Sequence, residues 1–185
     1  MVREADYWEV LTVFFNDTAT TEIYTLSLHD VFRSAKNCEG QVPDPGTLTA
    51  DDQALLDAAG ALLGIMRGHL VRQEFHNALI AQWQVIGEAN RYIDAQAPWT
   101  LRKTDPPRMA TVLYVLAETI RHLAILAQPV MPTAASRMLD QLSVAADARG
   151  FASLDAGCAL IPGVALPKPV GLFPRYVEEA EEGAD

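Results

Sequence analysis

A long stripe of apolar residues within positions 107–128 constrains the fold more than any other feature of this sequence. Its members recur every three or four positions, as on one face of an α-helix: Met109, Val112, Leu113, Leu116, Ile120, Leu123, Ala124 and Ala127. Pro107 near the start and Pro129 after the end fit the usual positions of proline at helix boundaries. The pattern predicts a helix over about 107–128 with one buried face.

Two earlier segments have the same spacing and clear boundaries. Thr49 is a good N-cap, and Asp52 at the third helical position predicts a capping box at the start of a helix that ends near Arg72. A second helix is predicted over about 74–95. Pro98 ends it, because proline disfavours helical conformation in the residue before it.

The rest of the chain indicates how the helices connect. Residues 101–107 are charged and carry paired prolines, which predicts a connector, and a fourth helix is predicted over about 132–145. Short connections between long helices make neighbours antiparallel, so the expected fold is an all-α, up-and-down helical bundle. Beyond Gly150, four prolines among alternating apolar residues predict an extended strap across the bundle: Pro162, Pro167, Pro169 and Pro174.

The overall charge and hydropathy limit the partners of this chain. A formal net charge of −10 argues against binding nucleic acid through a broad basic surface. We therefore expect no DNA partner, and any RNA contact has to be local. No uninterrupted apolar run reaches the roughly 18 to 20 residues that span a bilayer, and a signal-peptide pattern is absent from the first residues. We expect no membrane partner and a cytoplasmic location.

No catalytic or metal-binding motif stands out. The sequence contains no GxSxG, Walker, HExxH or GxGxxG pattern. His69, His76 and His122 are isolated from one another, so we expect them at solvent or satisfied at the edge of the bundle. Cys38 and Cys158 lack the spacing of a zinc site. The residues alone therefore predict no catalytic group, no metal and no cofactor in this chain.

Trp99 is the residue that departs most from this background. A tryptophan held by Pro98 at a helix end offers a rigid exposed ring on which an unstacked base can lie. Stacking tolerates any base, so specificity requires donors and acceptors nearby, such as the amides of Asn90 and Asn37. The alternative is that Trp99 is an ordinary hinge residue that fills the space between the second and third helices.

The N-terminal part differs from the rest. Residues 14–30, rich in Thr and aromatics, resemble a translated sequencing-adapter read, and we interpret residues 1–33 as a non-native segment. The alternative is a genuine extended arm. Residues 34–177 are then the bundle with its strap, and residues 178–185 are an acidic tail, of a composition that is usually solvated.

Four ordered pieces carry a family resemblance. AKNCEGQVP (35–43), EFHNAL (74–79), NRYIDAQAPW (90–99) and LFPR (172–175) together resemble the C-terminal, anticodon-binding part of bacterial methionyl-tRNA synthetases, which are class I enzymes. In that family the tryptophan of the APW motif stacks on the first anticodon base, a cytosine, and the preceding proline assists through its backbone. The resemblance gives these roles to Trp99 and Pro98. It also aligns Lys36, beside Asn37, with an arginine of the family, and places a family asparagine near Phe32.

The resemblance also implies an activity for the complete enzyme. The family attaches methionine to tRNA with ATP, using HIGH-like and KMSKS-like signatures that do not occur here. We therefore expect this chain to recognise the CAU anticodon of tRNA(Met) and to be inactive alone. ATP and methionine are expected to bind a missing N-terminal catalytic domain, which is the second expected partner. The alternatives are a stand-alone helical protein-interaction module and the anticodon domain of another class I synthetase.

Overall fold

In the computed structural model the described residues are 40–168, and they contain five α-helices. These are α1 (Ala50–Val71), α2 (Phe75–Gln96), α3 (Pro98–Thr104), α4 (Pro106–Ala127) and α5 (Pro132–Gln141). Three short 3-10 turns follow, at Ala146–Ala148, Phe151–Leu154 and Ala156–Cys158. The predicted boundaries after residues 33 and 177 lie outside the described residues and stay predictions.

The starts and ends of the three long helices lie close to those predicted from sequence. The predicted capping box at α1 is present: the Asp52 N–H donates to Thr49 Oγ1 at 3.4 Å, and the Thr49 N–H donates to Asp52 Oδ2 at 2.8 Å. Thr49 therefore fixes where α1 begins, as its side-chain chemistry predicts.

Two local predictions are wrong. The sequence predicts a connector over 101–107, whereas residues up to Thr104 belong to α3, because Pro98 occupies the first turn of a new helix rather than only ending α2. The fourth helix is predicted to continue to 145, whereas α5 ends at Gln141. Ser143 adopts a left-handed conformation (φ 56°), and the Val144 N–H donates to the carbonyl of Leu139, which closes the helix earlier.

Helix α4 is the centre of the bundle. Nearly all its residues from Thr111 onward are buried, and it contacts α1, α2, α3 and α5. Helices α1 and α2 pair along their length and cover one side of α4. This arrangement confirms the predicted all-α antiparallel bundle. Within residues 40–168 no β-strand forms, and the only strand-like pairing there is an isolated antiparallel bridge between Gln41 and Ala165.

That bridge brings the two ends of the described range together. The Val42 N–H donates to the carbonyl of Val164 at 2.8 Å, and the Gly163 N–H donates to the carbonyl of Val42 at 2.8 Å. Val42 is buried in the main core. The segment after the last 3-10 turn therefore lies along the residues that lead into α1. The rest of the predicted strap, including Pro169 and Pro174, lies outside the described residues.

A buried ionic cluster joins α4 to the C-terminal turns. The guanidinium of Arg121, only 1% exposed, donates to the carboxylate of Glu118 and to the carbonyl of Ser153 at 2.6 Å. Glu118 Oε2 also accepts from the Leu160 N–H at 3.0 Å. Burial acts to raise the pKa of Glu118, but hydrogen bonds from His122 and Arg121 outweigh it and lower this pKa to about 2.

The position of His122 corrects a prediction. It is buried, and its Nε2 lies 3.3 Å from Glu118 Oε1, so it belongs to the ionic cluster rather than to solvent or the bundle edge. The sequence pattern does not distinguish a buried His122 from an exposed one. His122 lies beside the apolar stripe of α4, and its partner Glu118 is a polar residue that the pattern also does not mark as buried.

Among the helices of residues 40–168, two are long and apolar enough, by length and composition alone, to cross a membrane. They are α1 and α4, and 89% of the apolar window of α4 is buried inside the bundle, against 22% of that of α1. One or two such helices are weak evidence for a span, because buried core helices meet the same criterion.

Candidate nucleic-acid interface

The candidate site lies at the corner between α2 and α3. Ala97 links the two helices in a left-handed conformation (φ 44°, ψ 62°), which is rare for a residue with a Cβ atom. Its N–H donates to the carbonyl of Ile93 at 2.9 Å, and its carbonyl accepts from the Thr100 N–H at 2.8 Å. One residue therefore ends α2 and begins α3, which makes the corner short and well defined.

Pro98 and Trp99 differ sharply in exposure at this corner. Pro98 is buried in the first turn of α3, whereas Trp99 is 56% exposed. Trp99 thus belongs to the start of α3, not to an irregular connector. A ring that is more than half exposed does not fill the space between helices, which argues against Trp99 as a plain hinge residue. The arrangement can present an aromatic face to a base.

Two cations follow Trp99 on the same short helix. Arg102 and Lys103 stand three and four positions later, so they are neighbours of Trp99 on the helix surface, and both are exposed. In a chain of net charge −10 they place positive charge beside the exposed ring. Sequence reasoning missed them as site residues because it assigned them to a connector. Their spacing from Trp99 is meaningful only once α3 is known to be helical.

The other predicted site residues are placed differently. Asn90 is half-buried on α2, six residues before the helix ends, or about 9 Å along its axis. The corner therefore brings together Pro98 and Trp99, with Asn90 more than a turn away. Lys36 and Asn37 lie outside the described residues, and their part in the site stays a prediction.

Beneath the corner lies a polar cluster, here called the Asp52 cluster, that consists of the buried Asp52 and Tyr92, the half-buried Gln96 and Arg108, and the cap residue Thr49. Asp52 is fully buried, and Arg108 donates to both of its carboxylate oxygens, to Oδ1 at 2.8 Å. The Tyr92 hydroxyl donates to the same carboxylate. Arg108 Nη2 also donates to Gln96 Oε1 at 2.7 Å. The cluster thus ties the start of α1, the end of α2 and the start of α4 together.

The ionisation of these groups follows from their contacts. Burial acts to raise the pKa of Asp52, but hydrogen bonds from Arg108, Tyr92 and Thr49 outweigh it and hold this pKa well below its usual range. Burial and the hydrogen bond to Asp52 raise the pKa of Tyr92. The Asp52 cluster therefore contains a carboxylate, a guanidinium and a neutral phenol at neutral pH.

Most of the Asp52 cluster was not predicted from sequence. The sequence identifies Asp52 only as a capping residue, because its partners Tyr92 and Arg108 lie 40 and 56 positions away. No local spacing links such residues. Within residues 40–168, no group of three or more His, Cys, Asp or Glu side chains is placed to hold a metal ion.

Comparisons with known proteins agree on one family. A family model described as the anticodon binding domain of methionyl tRNA ligase matches residues 42–184. The methionine–tRNA ligase of Mesorhizobium japonicum is 51% identical over 145 residues, which are 78% of this chain and 28% of that relative. The corresponding ligase of Brucella suis is 46% identical over 167 residues, or 90% of this chain and 32% of the relative.

A solved structure supports the same family. The free-state methionyl-tRNA synthetase of Mycobacterium tuberculosis superimposes with a TM-score of 0.81 at 42% identity, over 92% of this chain and 34% of that one. This chain thus spans about a third of the length of the relatives that it matches. The family match, the identity and the bundle lead to one conclusion: the chain belongs to the methionyl-tRNA ligase family and corresponds to its anticodon-binding domain.

Proposed function

We propose that this chain binds the anticodon loop of tRNA(Met) and recognises its CAU anticodon, as part of the attachment of methionine to tRNA in translation. The observation that carries the proposal is the Trp99 ring, 56% exposed at a corner fixed by Ala97 and buried Pro98. A rigid aromatic face at the surface stabilises an unstacked base, and each such contact contributes about 1 to 3 kcal/mol. The first anticodon base, cytosine, is the proposed stacking partner.

Stacking alone does not select cytosine. Cytosine presents an N4 donor and the acceptors N3 and O2, which backbone groups at helix ends and side-chain amides can complement. Asn90 is the amide on α2 that we propose for this role, and Asn37 and Lys36 are proposed from the other side of the site. We propose that Arg102 and Lys103, which are exposed beside Trp99, neutralise phosphates of the loop. A few local cations suffice, which agrees with an acidic protein.

Methionine attachment itself requires the catalytic domain of the family. We propose that ATP and methionine bind that domain, in the cytoplasm, and that this chain contributes anticodon recognition and no catalytic residue. The α1–α2 turn is the proposed docking end for the catalytic domain, because Leu70, Val71 and Phe75 are exposed there. This turn lies at the opposite end of α2 from Trp99, about 33 Å away along a helix of 22 residues.

Titration with anticodon stem-loop transcripts tests the proposal. Trp99→Ala should weaken binding of the CAU transcript by about 1 to 3 kcal/mol, which is about five- to 150-fold in Kd. Phe151→Ala removes an exposed aromatic ring elsewhere on the bundle and should leave Kd unchanged. Transcripts with an altered first anticodon base should bind the unchanged protein less well. Equal, weak binding of all transcripts, or no effect of Trp99→Ala, contradicts the proposal.

A further inference from the structure

We infer that the Asp52 cluster positions Trp99 for base stacking, with Gln96 as the residue that links the cluster to the corner. This inference rests on the proposed function. Gln96 lies three residues before Trp99, and Arg108 lies nine residues after it. The hydrogen bond from Arg108 Nη2 to Gln96 Oε1, at 2.7 Å, therefore closes a loop that carries the exposed ring. Both ends of the corner are held by one side-chain contact.

The contact between Arg108 and Gln96 is held in place because Arg108 is also hydrogen-bonded to Asp52. The fully buried Asp52 carboxylate accepts two hydrogen bonds from Arg108, one from the Tyr92 hydroxyl and one from the Thr49 N–H. The two parallel bonds to Arg108 also fix the plane of its guanidinium. The direction in which Nη2 meets Gln96 is thereby set by α1, a helix remote in sequence from Trp99.

The NRYIDAQAPW segment has two parts. Tyr92, Gln96 and Pro98 are directed to the protein interior or to the Asp52 cluster, whereas Trp99 is directed outward. Tyr92 and Pro98 are buried, and the half-buried Gln96 uses its Oε1 to accept from Arg108. The positions of Tyr92, Gln96 and Pro98 in the segment are explained if these residues determine the position of the Trp99 ring.

Loss of the Gln96 contact should leave the fold intact. The corner keeps its backbone hydrogen bonds, from Thr100 N–H to the Ala97 carbonyl and from Asp105 N–H to the Leu101 carbonyl. The Asp105 carboxylate also still caps α4, by accepting from the Arg108 N–H at 3.1 Å. The expected change is a wider range of orientations for Trp99, which weakens binding because the ring must then be ordered when the base arrives.

A double-mutant cycle on the full chain tests the inference. Gln96→Leu should raise the Kd for the CAU stem-loop about three- to tenfold when Trp99 is present. The same change in a Trp99→Ala background should have no further effect, because the ring through which Gln96 acts is gone. Gln53→Leu is the matched control: it removes an exposed amide contact, to Asp57 Oδ1 at 2.8 Å, one residue from Asp52. Its Kd should equal that of the unchanged protein.

The outcomes separate this inference from the proposed function. If Trp99→Ala leaves Kd unchanged, the proposed function fails. If Trp99→Ala weakens binding but Gln96→Leu does not, or if Gln96→Leu weakens binding equally without Trp99, the positioning role alone is wrong.

A measurement without RNA keeps the inference testable in every case. The chain is labelled with 5-fluorotryptophan, and the ¹⁹F resonance of Trp99 is assigned by its loss in Trp99→Phe. Gln96→Leu should shift or broaden that resonance while the melting temperature stays close to that of the unchanged protein, and Gln53→Leu should not affect it. An unaltered Trp99 resonance in folded Gln96→Leu contradicts the inference.

Discussion

Two ion pairs with buried carboxylates, both within residues 40–168, differ in what they connect. Arg108 and Asp52 lie 56 positions apart and join three helix ends beneath the Trp99 corner. Arg121 and Glu118 lie one turn apart on α4, so their ion pair does not by itself join two elements of the fold. They reach other elements through the Ser153 carbonyl and the Leu160 N–H. The carboxylate is buried in both pairs, but one pair supports the surface site and the other fixes the C-terminal turns.

The largest effect should come from breaking the pair on α4. Arg121→Met leaves the Glu118 carboxylate buried without its main partner, and it should lower the free energy of unfolding by about 3 to 5 kcal/mol. Urea unfolding followed by circular dichroism measures this change. Glu118→Leu combined with Arg121→Met should recover much of the loss, because no unpaired charge remains. A double variant as unstable as Arg121→Met would show that the geometry of the pair, not its charge balance, matters.

A smaller effect is expected at the other pair. Asp52→Asn removes the charge opposite Arg108, but the Arg108 side chain is 18% exposed and can gain hydration. We expect a loss of about 1 to 3 kcal/mol in the free energy of unfolding, measured in the same urea titration. Stem-loop binding should weaken as well, whereas Arg121→Met should leave binding by the folded protein unchanged. If Asp52→Asn lowers the free energy of unfolding more than Arg121→Met does, the partial exposure of Arg108 does not explain the difference between the pairs.

The smallest effect should appear on mild acidification. The Glu118 pKa is about 2 in the folded protein, against an ordinary value of 4.5. Its contribution to stability is therefore complete well above pH 4.5 and is lost as the pH falls toward 2. Between pH 7 and pH 4, protonation of Glu118 should lower the free energy of unfolding by about 1 kcal/mol. The lowered pKa of Asp52 acts in the same direction.

Unfolding free energies of the unchanged protein and of Glu118→Gln, measured at both pH values, isolate the Glu118 contribution. The variant should lose less stability than the unchanged protein between pH 7 and pH 4. Equal losses would mean that Glu118 keeps an ordinary pKa in the fold.

The features that the sequence predicts well are local. The Thr49 capping box and the apolar spacing of α1, α2 and α4 depend on neighbours within four positions, and they predict the bundle. The ends of α5 and of the predicted connector are wrong because left-handed residues such as Ala97 and Ser143 are not glycines, so no composition signal marks them.

The candidate site is predictable only in part for a related reason. Trp99 and Pro98 are recognisable in their motif, because the motif is contiguous. Arg108 is not, because its role depends on Asp52, which approaches it only after α1 and α4 pack together. The same holds for Gln96, whose partner is Arg108. The predicted roles of Lys36 and Asn37 remain predictions.

The internal pairing of Arg108 also determines how this surface should respond to salt. Its guanidinium is committed to Asp52 and Gln96, so it has little capacity to displace counterions from an RNA backbone. In the complex proposed above, that task falls to the exposed Arg102 and Lys103 and to Lys36. Association through these three cations should depend weakly on ionic strength. The proposed complex would then discriminate a loop by its bases and attract RNA in general only slightly.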